Sequence, residues 1–118
     1  MLQSNCVMFG WNHPATGREA MASELFAHCV NWCEKQRSIG NIESFEPMFL
    51  QSHGGDLNGC FLIKGTHAQL DSLKSHDEWV DIVMRAGQCL TQVGVVDCYT
   101  GTTVQDMMSR WTRSIPPR

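Results

Sequence analysis

The sequence predicts an α+β domain: a four-stranded antiparallel sheet with two helices on one face, plus one helix after it. Three observations predict it. A hairpin signature spans Phe45–Thr66, amphipathic helix patterns lie on either side of it, and a strand pattern closes each end of the unit.

In chain order, Asn5–Trp11 is a short apolar run with β character, stopped by Asn12-His13-Pro14, because proline lacks a ladder donor. Thr16-Gly17-Arg18-Glu19 has the T-x-x-E form of a capping box, opening a helix expected to reach about Arg37. Met21, Leu25, Cys29, Trp32 and Cys33 make its apolar stripe, widened by Ala22, Phe26 and Val30, and Gly40-Asn41 ends it. Ile42–Ser52 and Cys60–Ile63 are the hairpin strands, joined by His53-Gly54-Gly55-Asp56-Leu57-Asn58-Gly59, where the glycines supply left-handed backbone. Pro47 puts the first of these strands at a sheet edge or at a bulge.

Thr66-His67-Ala68-Gln69 is a second capping box and Ser75-His76-Asp77-Glu78 a third, so the next helix should be broken in two. Trp79, Ile82, Val83, Ala86 and Leu90 mark its buried face. Val93–Tyr99 is the fourth strand. A last amphipathic helix is expected at about 102–112, with Val104, Met107, Met108 and Trp111 on one side and a tail over 113–118. The whole of 1–118 reads as one domain.

Composition sets the class. The chain has 118 residues, 42 % hydrophobic and 18 % charged, which describes a soluble globular protein with a real core. Nine basic and twelve acidic residues are scattered, giving a net charge of −3 that argues against a nucleic-acid surface. No run reaches the length of a membrane span, and the N-terminus lacks the regions of a secretory signal, so the expected compartment is the cytoplasm. The six cysteines sit inside apolar segments and read as reduced, buried small hydrophobes.

The element order is β-α-β-β-α-β, the ferredoxin-like arrangement, which leaves one sheet face free of helices. A wetted free face should alternate apolar and polar residues. Here Cys6-Val7-Met8-Phe9, Cys60-Phe61-Leu62-Ile63 and Val95-Val96 are apolar at both parities. Leaving about six large side chains in water would forgo roughly 10 kcal/mol, at roughly 1.5–3 kcal/mol each. A homodimer, sheet against sheet, is the expected solution, and the last helix would cover a partner or a sheet edge.

These strands, with Gly54-Gly55-Asp56-Leu57-Asn58-Gly59, Ser75-His76-Asp77-Glu78-Trp79 and the Gly94–Gly101 ending, resemble the dimeric α+β barrel superfamily, most of all small bacterial members without an assigned activity. The resemblance covers about residues 5–111. It implies a ferredoxin-like dimer with a pocket between sheet and helices. That superfamily includes cofactor-independent monooxygenases, muconolactone isomerases, haem proteins, stress-responsive barrel proteins and YCII-like proteins, and no motif here selects one activity.

His13 is the first catalytic candidate, since a histidine between a strand and a helix N-terminus can serve as acid or base; otherwise it is a turn residue. Glu46 is the second: turned inward it would be a base with a raised pKa, turned outward an ordinary edge carboxylate. Asp97 poses the same choice. Arg18 and His53 are candidates for an anionic group on a ligand, and Trp11, Phe45 and Trp79, with Phe49 and Tyr99, for an aromatic cavity wall. The alternatives are a solvated His53 and aromatics that fill the core. Cys29 and Cys33 share a helix face, but nothing supplies the other half of a metal site, so neither metal nor cofactor is expected. The expected function is binding of a small hydrophobic or aromatic molecule, as a monooxygenase- or isomerase-like enzyme or as a non-enzymatic regulatory or stress-related module.

Overall fold

The apolar runs at both ends of the unit form neighbouring strands at the middle and edge of one sheet. The computed structural model describes residues 2–118; Met1, counted in the expected domain, lies outside them. The elements are β1 Cys6–Trp11, α1 Glu19–Ser38, β2 Ser44–Phe49, β3 Gly59–Lys64, α2 His67–Lys74, α3 Asp77–Cys89, β4 Gly94–Cys98 and α4 Thr102–Arg113. The strand order is β2-β3-β1-β4 and every pairing is antiparallel. β2 is therefore an edge strand, which is where Pro47 can be tolerated.

Register separates the two faces. Val7, Phe9 and Trp11 of β1 and Phe61 and Ile63 of β3 enter the core under the helices, joined by Leu25, Trp32, Trp79 and Ile82. The alternate residues point the other way, so Cys6, Met8, Cys60, Leu62, Met48 and Val96 share the outer face. Both faces of the central strands are thus apolar. Leu57 of the hairpin loop folds over the outer face at Gly10, where a Cβ would lie 2.9 Å from its Cδ1.

Two of the three expected capping boxes do not form. At α1 the chain turns over Ala15–Arg18, with Gly17 at φ +83° and the Arg18 N–H donating to the Ala15 carbonyl. That turn leaves Thr16 outside the helix, Arg18 at the cap without a side-chain bond, and Glu19 accepting from the Gly17 N–H at 3.2 Å. At α3 the cap is His76, again without a side-chain bond, because Ser75 ends α2 and its Oγ donates to the Asp71 carbonyl. The Thr66 box forms completely: Thr66 Oγ1 accepts from the Gln69 N–H, and Gln69 Oε1 accepts from the Thr66 N–H. The helix break falls at Ser75–His76, as the two signals imply.

The hairpin loop is longer than expected, because β2 ends at Phe49; the Leu50 N–H closes it by donating to the Asn58 carbonyl. α4 follows β4 through Gly101 at φ +65°. It buries no residue and packs closely on none of the other elements. Among the described residues, no helix is long and apolar enough to cross a membrane.

Candidate functional site

α1 crosses the aromatic floor with small side chains set on either side of the larger Leu25 and Phe26. Ala22, Ser23 and Cys29 stand above Phe9, Trp11 and Phe61, and the mismatch leaves a cavity of about 400 Å³ between helix and sheet. Phe26 and Phe49 bound it as a stacked pair, ring centroids 4.9 Å apart, and Phe49 remains 73 % exposed. Pro14 and Leu90, joined as an isolated bridge, contribute to the wall nearest the end of β1. The wall is almost wholly apolar, its polar side chains being Glu19 and Ser23. Such a lining suits a flat apolar molecule with one polar substituent.

Trp11 keeps its position because Gly59 faces it across the β1–β3 pair. A Cβ on Gly59 would come within 2.6 Å of the indole. Around that end of the sheet, side-chain amides tie three loops together: Asn58 donates to Asn12, and Asn12 donates to Gln92. The Thr91 N–H and hydroxyl both donate to the His13 carbonyl, at 2.9 and 3.1 Å. The cavity end of the sheet is therefore braced by polar bonds rather than by packing alone.

The predicted residues fall in separate places. Trp11 lines the cavity, and so does Phe49. Trp79 lies deeper, edge-on to Phe9 at 5.5 Å and stacked with Trp32 at 6.0 Å. Phe45 is half-buried against the core, and Tyr99 is largely exposed. His13 is exposed in the turn after β1; its Nδ1 lies 2.9 Å from the Pro14 carbonyl and so carries the proton. Arg18 is exposed at the α1 cap, its Nη1 4.0 Å from Met21 Sδ.

His53 organises the hairpin loop. Its Nδ1 accepts from the Gly55 N–H at 3.2 Å and its Nε2–H donates to the Leu57 carbonyl at 2.9 Å. Glu46 pairs with Leu62 on the outer face and is exposed, so the inward orientation that a buried base requires is not adopted. Asp97 instead accepts from Lys74 Nζ at 2.8 Å.

Burial is the chief cause that pushes the Cys6, Cys60 and Cys89 thiols up. Cys29 is pushed well above the ordinary thiol range by its hydrogen bond with Cys33 and by burial, which suits core packing. Among the described residues, no group of three or more His, Cys, Asp or Glu side chains is arranged to hold a metal ion. Sequence reasoning missed Pro14, Glu19, Ser23 and Leu90 as wall residues. It read Ala22, Phe26 and Cys29 only as core stripe, although small residues on a helix over an aromatic floor were a usable signal.

No protein-family model matches the sequence, and no curated protein matches it. A solved structure from Bacteroides fragilis NCTC 9343, described as a dimeric protein of unknown function with a ferredoxin-like fold, is similar to it. The TM-score is 0.55 at 12 % identity, over 85 % of this chain and 100 % of that one. Together with the strand order β2-β3-β1-β4, that likeness shows a ferredoxin-like fold for this chain.

Proposed function

We propose that this chain is a homodimer that binds a small hydrophobic or aromatic molecule in the cavity beneath α1. The observation that carries the reading is the 400 Å³ space with its aromatic floor, a volume in the range of small-molecule sites. Pairing is supported by the apolar outer face and by the dimeric state of the Bacteroides protein. A net charge of −3 favours a small molecule over a nucleic acid as partner, and six unbridged cysteines fit a reducing cytoplasm.

In the enzymatic form of this reading, monooxygenase- or isomerase-like, His13 is the acid–base group. The Nδ1 contact with the Pro14 carbonyl leaves Nε2 free for a ligand, one residue from the cavity wall. Arg18, at the α1 cap, would then hold an anionic substituent, with Phe45 and Trp79 as supports for the wall, while both ring nitrogens of His53 are spent on its own loop. The non-enzymatic form, a binding or regulatory module, is supported by the wall itself, which offers only Glu19 and Ser23 as polar side chains.

Titration with 1-naphthol, followed by indole N–H resonances, tests the binding. A saturable shift of Trp11 with little change at Trp111, abolished by Ala22→Phe, is the expected result. An unperturbed Trp11 at millimolar naphthol contradicts the reading. His13→Ala then separates the two forms: loss of turnover with the naphthol shift retained supports an enzyme, and an unchanged ligand response removes His13 from the site.

A further inference from the structure

α4 is an amphipathic helix whose apolar side is largely uncovered by its own chain: Met107 is half-buried, while Val104, Met108 and Trp111 are exposed. Val104, Met107, Met108 and Trp111 repeat at i, i+3, i+4 and i+7, yet Trp111 is 61 % and Met108 53 % exposed. The grooves where α4 adjoins the rest of the chain are lined by its polar side, Thr103, Asp106 and Arg110, against the Leu2–Asn5 segment. With α4 standing off, the radius of gyration is 16.2 Å, against about 13.5 Å expected for a compact chain of this length.

Area favours a second copy as the occupant. Four strands of this length offer an outer face of roughly 19 Å by 18 Å, or about 350 Å² of flat footprint. A stable pairing buries about 800 Å² of accessible surface per partner, a larger measure than a flat footprint, and helices exchanged beside the sheets add to what the sheet face contributes. A helix of 12 residues is about 18 Å long and adds about 200 Å². In a two-fold pair each copy gives one helix and receives one, which brings the footprint to about 750 Å² per copy.

We propose that the apolar stripe of α4 docks on a second copy of this chain, beside the paired sheets, so that each copy clasps the other. The claim rests on the dimer reading above and goes beyond it: α4, exposed in one chain, is an exchanged arm. The receiving surface must be apolar, as the stripe has no buried polar partner to satisfy.

The experiment uses the full chain. Equal amounts of ¹³C-labelled and unlabelled protein are mixed, and isotope-filtered NOEs are recorded from the Trp111 indole. In parallel, the dimer dissociation constants of the unaltered chain, Trp111→Glu and Met108→Glu are measured by sedimentation. NOEs from Trp111 to the other copy, with dissociation constants raised at least tenfold and unchanged far-ultraviolet dichroism, are expected. A dimer whose Trp111 contacts lie only within its own chain, or whose affinity ignores both substitutions, overturns the clasp and leaves sheet pairing standing. A monomeric unaltered chain overturns both.

Discussion

At the scale of single residues, the space for one indole sets the shape of the cavity. Gly59→Val should drive methyl carbons into Trp11, which a bare Cβ already approaches to 2.6 Å. The expected cost is about 1–3 kcal/mol in urea unfolding, with a displaced Trp11 indole resonance; an unchanged midpoint and resonance would mean that Trp11 yields freely. The thiols give a pH signature. Cys29 is raised above its ordinary value of 9.0 by Cys33 and burial, and Cys6, Cys60 and Cys89 are raised chiefly by burial. The folded chain then keeps protons that the unfolded chain releases near pH 9, so this stability is complete below that pH and lost as pH rises through it. Under reducing conditions the urea midpoint should fall between pH 8 and pH 10, and a flat profile would contradict the assignment. At this scale the sequence was partly legible: Trp11 could be named from its place in a strand, whereas Glu19 looked like a cap and Glu46 had two possible faces until register chose one.

At the scale of elements, helix ends separate the signals that work from those that do not. Thr66→Ala removes a complete capping box and should cost about 1 kcal/mol. Thr16→Ala, outside α1 and without a cap bond, should change stability by less than about 0.5 kcal/mol. Equal losses in chemical denaturation would contradict this distinction. The two motifs read alike because a capping box is defined by spacing, and spacing does not reveal that Gly17 turns the chain before the helix starts. The strands were easier. Pro47 left β2 an edge or a bulge, of which the edge is adopted, and doubled apolar parity marked β1 and β3 as buried on their helix side with apolar residues left over. The Lys74–Asp97 pair joins α2 to β4, but both side chains are partly exposed, so it contributes less than about 1 kcal/mol.

At the scale of the whole molecule, one chain has more apolar surface than it can cover. Val7, Phe9, Phe61 and Ile63 are satisfied by α1 and α3, while Met8, Leu62, Met48 and Val96 face outward and α4 stands clear. The topology followed from element order because a β-α-β-β-α-β chain with short connections has few ways to close an antiparallel sheet. The cavity did not follow, because its volume depends on which small residues of α1 meet which aromatics, a matter of packing rather than pattern. Sedimentation equilibrium at micromolar concentration tests the central claim most directly. The chain should sediment at twice its 13.3 kDa mass, and Leu62→Glu, which places a carboxylate on the outer face, should return it to one. A monomer of 13.3 kDa before any substitution would contradict the account.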